Sequence, residues 1–165
     1  MIGNDIIDID LAKQESNWQR KGYLDKIMTS NEQALIYNSQ NPDVMVSYLW
    51  SLKEAAYKIY NRQTQIRGFI PLRLECKILP CIETSHYAKV YCGNQEYWTQ
   101  SKITNSCIDT IAVCHKDDLI KVSTLKSSIG IQKINGIPFL KEDAVLKPVS
   151  ISHHGRYERI VTLVK

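Results

Sequence analysis

The chain has 165 residues, of which 44% are hydrophobic and 23% charged. That balance belongs to a folded globular protein of one domain, or of two small lobes sharing a core, and excludes a disordered tail, a collagen-like repeat and a coiled coil. Lys plus Arg is 21 against 17 for Asp plus Glu, a net charge of +4, which favours acidic partners but is too small to imply nucleic acid.

No apolar run approaches the ~20 residues of a membrane helix, so no membrane partner is expected. The opening Met1-Ile2-Gly3-Asn4-Asp5 lacks a basic n-region, and the expected location is cytoplasmic. Five cysteines without a C-x-x-C pair argue against zinc and against a disulfide framework, and for reduced thiols buried as small hydrophobes.

Residues 2–11 place Ile2, Ile6, Ile7 and Ile9 beside Asp5, Asp8 and Asp10, which reads as a strand interrupted by acids. Thr29-Ser30-Asn31-Glu32-Gln33 offers two overlapping capping boxes, with a short helix following through Tyr37. Asn41-Pro42-Asp43 starts the strongest element, a helix from about Val44 to Asn61, with Tyr48, Leu49, Leu52, Ala55, Ala56 and Ile59 at three- and four-residue steps. Four β-rich runs follow (74–79, 87–92, 97–104 and 108–114), with a Gly93-Asn94 hairpin turn between the second and third. They predict an antiparallel meander. His115-Lys116-Asp117-Asp118 is the expected lobe boundary, so that 1–115 forms one α+β unit and 120–165 a smaller β-rich one. Strands are predicted at 129–134, 137–140 and 157–164, with Asn135-Gly136 as a turn.

Three clusters could carry chemistry. Asp5 in an Ile-rich strand costs free energy if buried unpaired; alone it reads as a solvated strand end or a cap, unless a cation compensates it. Lys53, Glu54 and Lys58 flank the buried stripe of the long helix. Glu54 and Lys58 are one turn apart, which fits either an exposed ion pair of a few tenths of a kcal/mol or the rim of a site. Val149–Tyr157 gathers Ser150, Ser152, His153, His154 and Arg156, a phosphate-binding set or a polar turn. A nucleophilic Ser-His-Asp triad is a poor reading, because adjacent Ser152 and His153 point to opposite faces of a strand.

In this order the clusters resemble the phosphopantetheinyl transferase family. Gly3-Asn4-Asp5-Ile6-Ile7-Asp8-Ile9 is similar to the family's G-x-D-I-x-[ED]-I strand, and Trp50–Lys58 to its [WF]-x-x-K-E-[AS]-x-x-K signature. Gly136-Ile137-Pro138 and Ser150-Ile151-Ser152-His153 resemble its G-K-P and S-x-S-H pair. The likeness covers residues 1–79 and 135–158 and has the motif order of holo-acyl-carrier-protein synthases. It implies an α+β fold, with an antiparallel sheet packed against a long helix and a second partial lobe.

It also implies a magnesium ion held by Asp5 and Glu54, which suits a hard cation that keeps water and phosphate oxygens. Glu54 and Lys58 would be catalytic, Lys53, Ser152 and His153 would hold coenzyme A, and Asp8 would support the metal site. The implied reaction transfers 4′-phosphopantetheine from coenzyme A to a serine of an acidic acyl or peptidyl carrier protein, releasing adenosine 3′,5′-bisphosphate, in fatty-acid or secondary-metabolite biosynthesis. Lys58, Arg62, Arg67, Arg73 and Lys77 would form a basic face for the carrier or be scattered solvated charges. The cleft would lie within the chain or between subunits of a homo-oligomer. Three departures stand out: Ile7 where the larger branch has a second acid, Ile137 in place of the G-K-P lysine, and Leu11 where a basic residue follows the first strand. They leave open a non-catalytic coenzyme A or nucleotide-binding relative; a structural domain matching by chance is the third possibility.

Overall fold

The computed structural model describes residues 1–142 and 145–164. The chain begins with β1 (Ile2–Asp8), α1 (Ile9–Glu15), α2 (Leu24–Ile27), α3 (Ser30–Tyr37) and α4 (Pro42–Thr64). The meander follows as β2 (Glu75–Ile78), β3 (Ser85–Cys92), β4 (Gln95–Ile103) and β5 (Cys107–Val113). A 3₁₀ turn at Lys116–Lys121 leads to β6 (Val122–Thr124), β7 (Ile131–Ile134), β8 (Ile137–Glu142), β9 (Val145–His154) and β10 (Tyr157–Leu163). No helix of the described residues is long and apolar enough to cross a membrane.

The fold is α+β, with two antiparallel five-stranded sheets and one long helix. The first sheet runs β1-β5-β4-β3-β2, the second β6-β10-β9-β8-β7. Helix α4 lies on the first sheet. Leu49, Leu52, Ala55, Ala56 and Ile59 are fully buried there, in one core with Ala88, Val90, Tyr97, Ile108 and Ala112. Asn41 caps α4 by accepting from Val44 N–H at 3.3 Å, Pro42 opens its first turn, and Gln65 closes it at φ 59°. The second sheet has a small core of Leu140, Val149 and Ile160.

The first strand is shorter than expected. It ends at Asp8, whose Oδ1 accepts from Asp10 N–H at 3.2 Å and caps α1. Only the Thr29–Glu32 capping box forms, because the Gln33 amide turns to Asp25 and the Met28 carbonyl. The Val149–Tyr157 cluster is no isolated polar turn: it is the end of β9, a tight turn at Gly155-Arg156, and the start of β10. Among the five free thiols Cys76 and Cys92 are buried, whereas Cys81 is exposed.

One contact sets the geometry of the first lobe. A Cβ on Gly3 would lie 2.0 Å from the Ala55 carbonyl oxygen, so only glycine lets β1 sit this close to α4. A second device is ionic. The Lys53 ammonium is 2.7 Å from Glu32 Oε2 and donates to the Pro71 and Leu74 carbonyls at 2.8 and 2.5 Å, with both side chains essentially without solvent contact. Glu32 also accepts from Thr29 N–H and Cys76 N–H, each at 2.8 Å. Every donor of the lysine is therefore used inside the core. The pair ties α4 to the start of α3 and to the segment entering β2. Lys53 does not stand on the rim of the long helix beside Glu54, as its place next to the buried stripe had suggested.

Truncating one partner strands the other charge without solvent. Lys53→Met or Glu32→Leu should each lower stability by about 3–5 kcal/mol in equilibrium urea unfolding. The double substitution should recover much of that loss.

Candidate functional site

The close seat of β1 on Ala55 brings Asp5, two residues beyond Gly3, toward Glu54, the helix residue just before that contact. Both carboxylates line one cavity of about 380 Å³ with Tyr23, Trp50 and His153. Burial, only partly opposed by Lys58 and reinforced by the charges of Glu54 and Asp109, raises the Asp5 pKa from 3.8 to about 7. Burial pushes Glu54 up as well, again opposed by Lys58. The site is short of positive charge.

Lys58, one turn after Glu54 on α4, is the cation facing this pair. Its ammonium donates to Asn4 O at 2.6 Å and Ile151 O at 3.2 Å and lies 3.8 Å from Asp5 Oδ1. Burial lowers its pKa, while Asp5 and Glu54 work against that. Lys58 therefore does two things: it joins the exposed edge of β1 to β9, and it holds a charge beside the carboxylates. Among the described residues no third His, Cys, Asp or Glu completes a metal cluster. Two under-compensated oxygen donors on an open cavity do not make a closed zinc site. They fit a hard divalent cation that keeps most of its coordination for water and phosphate.

The terminal cluster divides by strand parity. Ser150 and Ser152 are buried and turned toward β1. Ser150 Oγ accepts from Asn4 N–H at 3.0 Å, and Ser152 Oγ from the Asn4 side-chain amide at 3.1 Å. These hydroxyls hold β9 against the edge of β1, and both residues also stand in the wall of a second cavity. His153, on the opposite face, is exposed and lines two cavities. One is the carboxylate cavity; the other, of about 360 Å³, also has Lys58, Arg62, Lys133 and Ile137 in its wall.

Asp8 does not join Asp5. Its carboxylate accepts from Arg156 Nε and Nη2, both at 2.8 Å, and the guanidinium holds it well below the ordinary carboxylate range. Asp8 is thus a helix cap and an interlobe ion-pair partner. Its backbone N–H donates to His154 Nδ1 at 2.9 Å, and His154 Nε2 lies 3.3 Å from Glu15. Arg159 pairs with Asp109 at 2.8 Å. The sequence reading missed Asn4, His154 and Arg159 as interlobe contacts. The available signal was weak: an uncharged polar residue inside a strand, and charges placed beyond the turn.

Of the five cations between 58 and 77, Lys58 and Arg62 are turned to backbone carbonyls, Arg62 to those of Val149 and Pro138, whereas Arg67, Arg73 and Lys77 are exposed, Arg67 donating to the Asn135 carbonyl and Arg73 lying 5.9 Å over the Tyr60 ring.

Comparison with known families gives one result. A family model described as the 4′-phosphopantetheinyl transferase superfamily matches residues 1–110 of the 165, which include Asp5, Glu54 and Lys58 but not β6–β10. No curated protein matches the chain.

The raised Asp5 pKa has a consequence for stability. Since the folded state holds this proton more tightly than the unfolded chain, the group's contribution to stability falls as pH rises from about 4 to about 7. In metal-free buffer, Asp5→Asn should match the wild type below that window. It should gain on the wild type through the window and level off above it, in urea titrations repeated across pH.

Proposed function

We propose that this chain, which belongs to the 4′-phosphopantetheinyl transferase superfamily, transfers 4′-phosphopantetheine from coenzyme A to a serine of a carrier protein with the help of magnesium. That it is a transferase of the phosphopantetheinyl kind follows from the family. The metal, the substrate and the residue roles go beyond the family assignment. The observation that carries it is the convergence of Asp5 and Glu54 on one cavity, with Lys58 as their close counter-charge among the described residues.

In this reading Asp5 and Glu54 would hold the metal. A bound magnesium ion would neutralise phosphate charge as the phosphorus–oxygen bond breaks. The carrier serine oxygen attacks the phosphorus that bears the pantetheine arm. Glu54 accepts the serine proton, directly or through a water. The bond to the nucleotide phosphate breaks, and adenosine 3′,5′-bisphosphate leaves. Lys58 sits where charge builds on the phosphate oxygens. His153, placed between the two cavities, contacts the diphosphate or the nucleotide end. Ser152 acts indirectly, by fixing Asn4 and thereby β1. Lys53 likewise acts through the position of α4, with no contact to the coenzyme.

The partner is an acidic acyl or peptidyl carrier protein. Exposed Lys13, Arg20, Lys21 and Lys26 lie on α1, α2 and the segment between them, the stretch that also supplies Ala12, Tyr23 and Ile27 to the carboxylate cavity. They would steer such a partner toward it. Buried Ile137 at the position of the family's lysine supports a second reading, coenzyme A binding without transfer.

Labelled coenzyme A, magnesium and a panel of apo carrier proteins test the reaction. Label should appear on a carrier, and EDTA should abolish it. Glu54→Gln should reduce turnover by at least about a hundredfold while thermal unfolding shows a folded protein. Absence of transfer to every carrier, with magnesium-independent coenzyme A binding in calorimetry, would establish the binding-only reading. His153→Ala should raise the KM for coenzyme A more than it lowers kcat. An unchanged KM removes His153 from the coenzyme site.

A further inference from the structure

Three consecutive residues of the second lobe are built around one residue of the first. His154, the last residue of β9, accepts the Asp8 N–H on Nδ1 at 2.9 Å. Gly155, at φ 54°, leaves room for the Asp8 carboxylate, since a Cβ there would lie 2.6 Å from Oδ2. Arg156 binds that carboxylate through Nε and Nη2. A single tight turn thus grips both the backbone and the side chain of Asp8, which is almost without solvent contact.

His154 differs from its two neighbours in what it faces. Its ring stands in the wall of the carboxylate cavity, yet both nitrogens are engaged within the protein. Because Nδ1 accepts a backbone N–H it carries no proton, so the neutral ring holds its hydrogen on Nε2. Nε2 lies 3.3 Å from Glu15 Oε2. The imidazole therefore ties the last residue of β1 to the last residue of α1. Asp5 lies three residues before Asp8 on β1, and His153 directly precedes His154 on β9. On the other side of Asp5, Ser150 and Lys58 hold the same strand edge through Asn4. Asp5 is anchored from both directions, and His154 is the anchor adjacent in sequence to His153.

We propose that His154 is a positioning residue for the transfer reaction: its acceptor on the Asp8 N–H fixes the register of Asp5 against His153. This rests on the transfer reading above, in which those two residues serve the metal and the coenzyme. Without the acceptor, a backbone N–H at a covered strand end loses its partner. The end of β1 is then released from β9, and groups that must meet one substrate from two strands tolerate little displacement.

Two variants separate the hydrogen bond from the ring. His154→Ala removes both, whereas the side-chain carbonyl of His154→Asn can take the place of Nδ1. In the transfer assay His154→Ala should lower kcat/KM for coenzyme A at least about tenfold, and His154→Asn should restore it to within about threefold of the wild type. Hydrogen exchange followed by NMR reads the contact without turnover. The Asp8 amide should be protected in the wild type and in His154→Asn and exchange at least about tenfold faster in His154→Ala. Wild-type kcat/KM in His154→Ala, or an asparagine variant as impaired as the alanine one while its Asp8 amide stays protected, overturns the positioning role. A wild type that transfers to no carrier overturns the transfer reading itself, an outcome distinct from both.

Discussion

The outer edge of strand β1 is the constraint on which the rest of the structure depends. β1 pairs with β5 on one side only. Its other edge would leave backbone groups exposed to any passing strand. The second lobe covers that edge with side chains, not with another ladder. Ser150 receives Asn4 N–H, His154 receives Asp8 N–H, and Lys58 donates to Asn4 O. Arg156 then closes on Asp8. A sheet edge that must be capped by polar groups becomes a cleft, since side chains reach across a gap that backbones would have closed.

That cleft is electrostatically unbalanced. Two carboxylates share it with one ammonium whose donors also serve the strand edges. Burial raises both acids and lowers the lysine, so the free site is held away from its preferred ionisation. Structures tolerate such arrangements where binding relieves them. The stability that permits it comes from elsewhere. The Lys53–Glu32 pair fixes α4 from the core side, away from the cleft, and the Gly3–Ala55 contact sets the depth at which β1 meets α4. Adjacent lysine and glutamate in one signature thus serve different ends: Lys53 faces the core, and Glu54 faces the cavity.

The second lobe is the part least described by family likeness, and it brings His153 and His154 to the wall of the carboxylate cavity. The model match ends at residue 110, before Arg156, His153 and the β7–β8 hairpin. The lobe's own core is small, and β9 and β10 pack against β1. The lobes are therefore interdependent even though their sheets are separate.

By itself the sequence determined what local periodicity and local chemistry determine. The three- and four-residue steps of Leu49, Leu52, Ala56 and Ile59 specify α4. The Thr29–Glu32 box specifies the start of α3, and Asn135-Gly136 the β7–β8 turn. Likeness to the family's motifs singled out Asp5, Glu54, Lys58 and His153 as candidates, whereas period and spacing alone left each of them open between a site and a solvated charge. Tertiary structure decided everything that depends on which partner an element meets. Lys53 and Glu54 are neighbours on one helix, and only the arrival of α3 buries the first. Asp8 and Asp5 lie on one strand, and only the Gly155 turn places Arg156 against the former. Arg62 donates to the Pro138 and Val149 carbonyls only because β8 and β9 arrive beside α4. Burial and ion pairing are properties of contacts far apart in the chain, and no spacing along it encodes them.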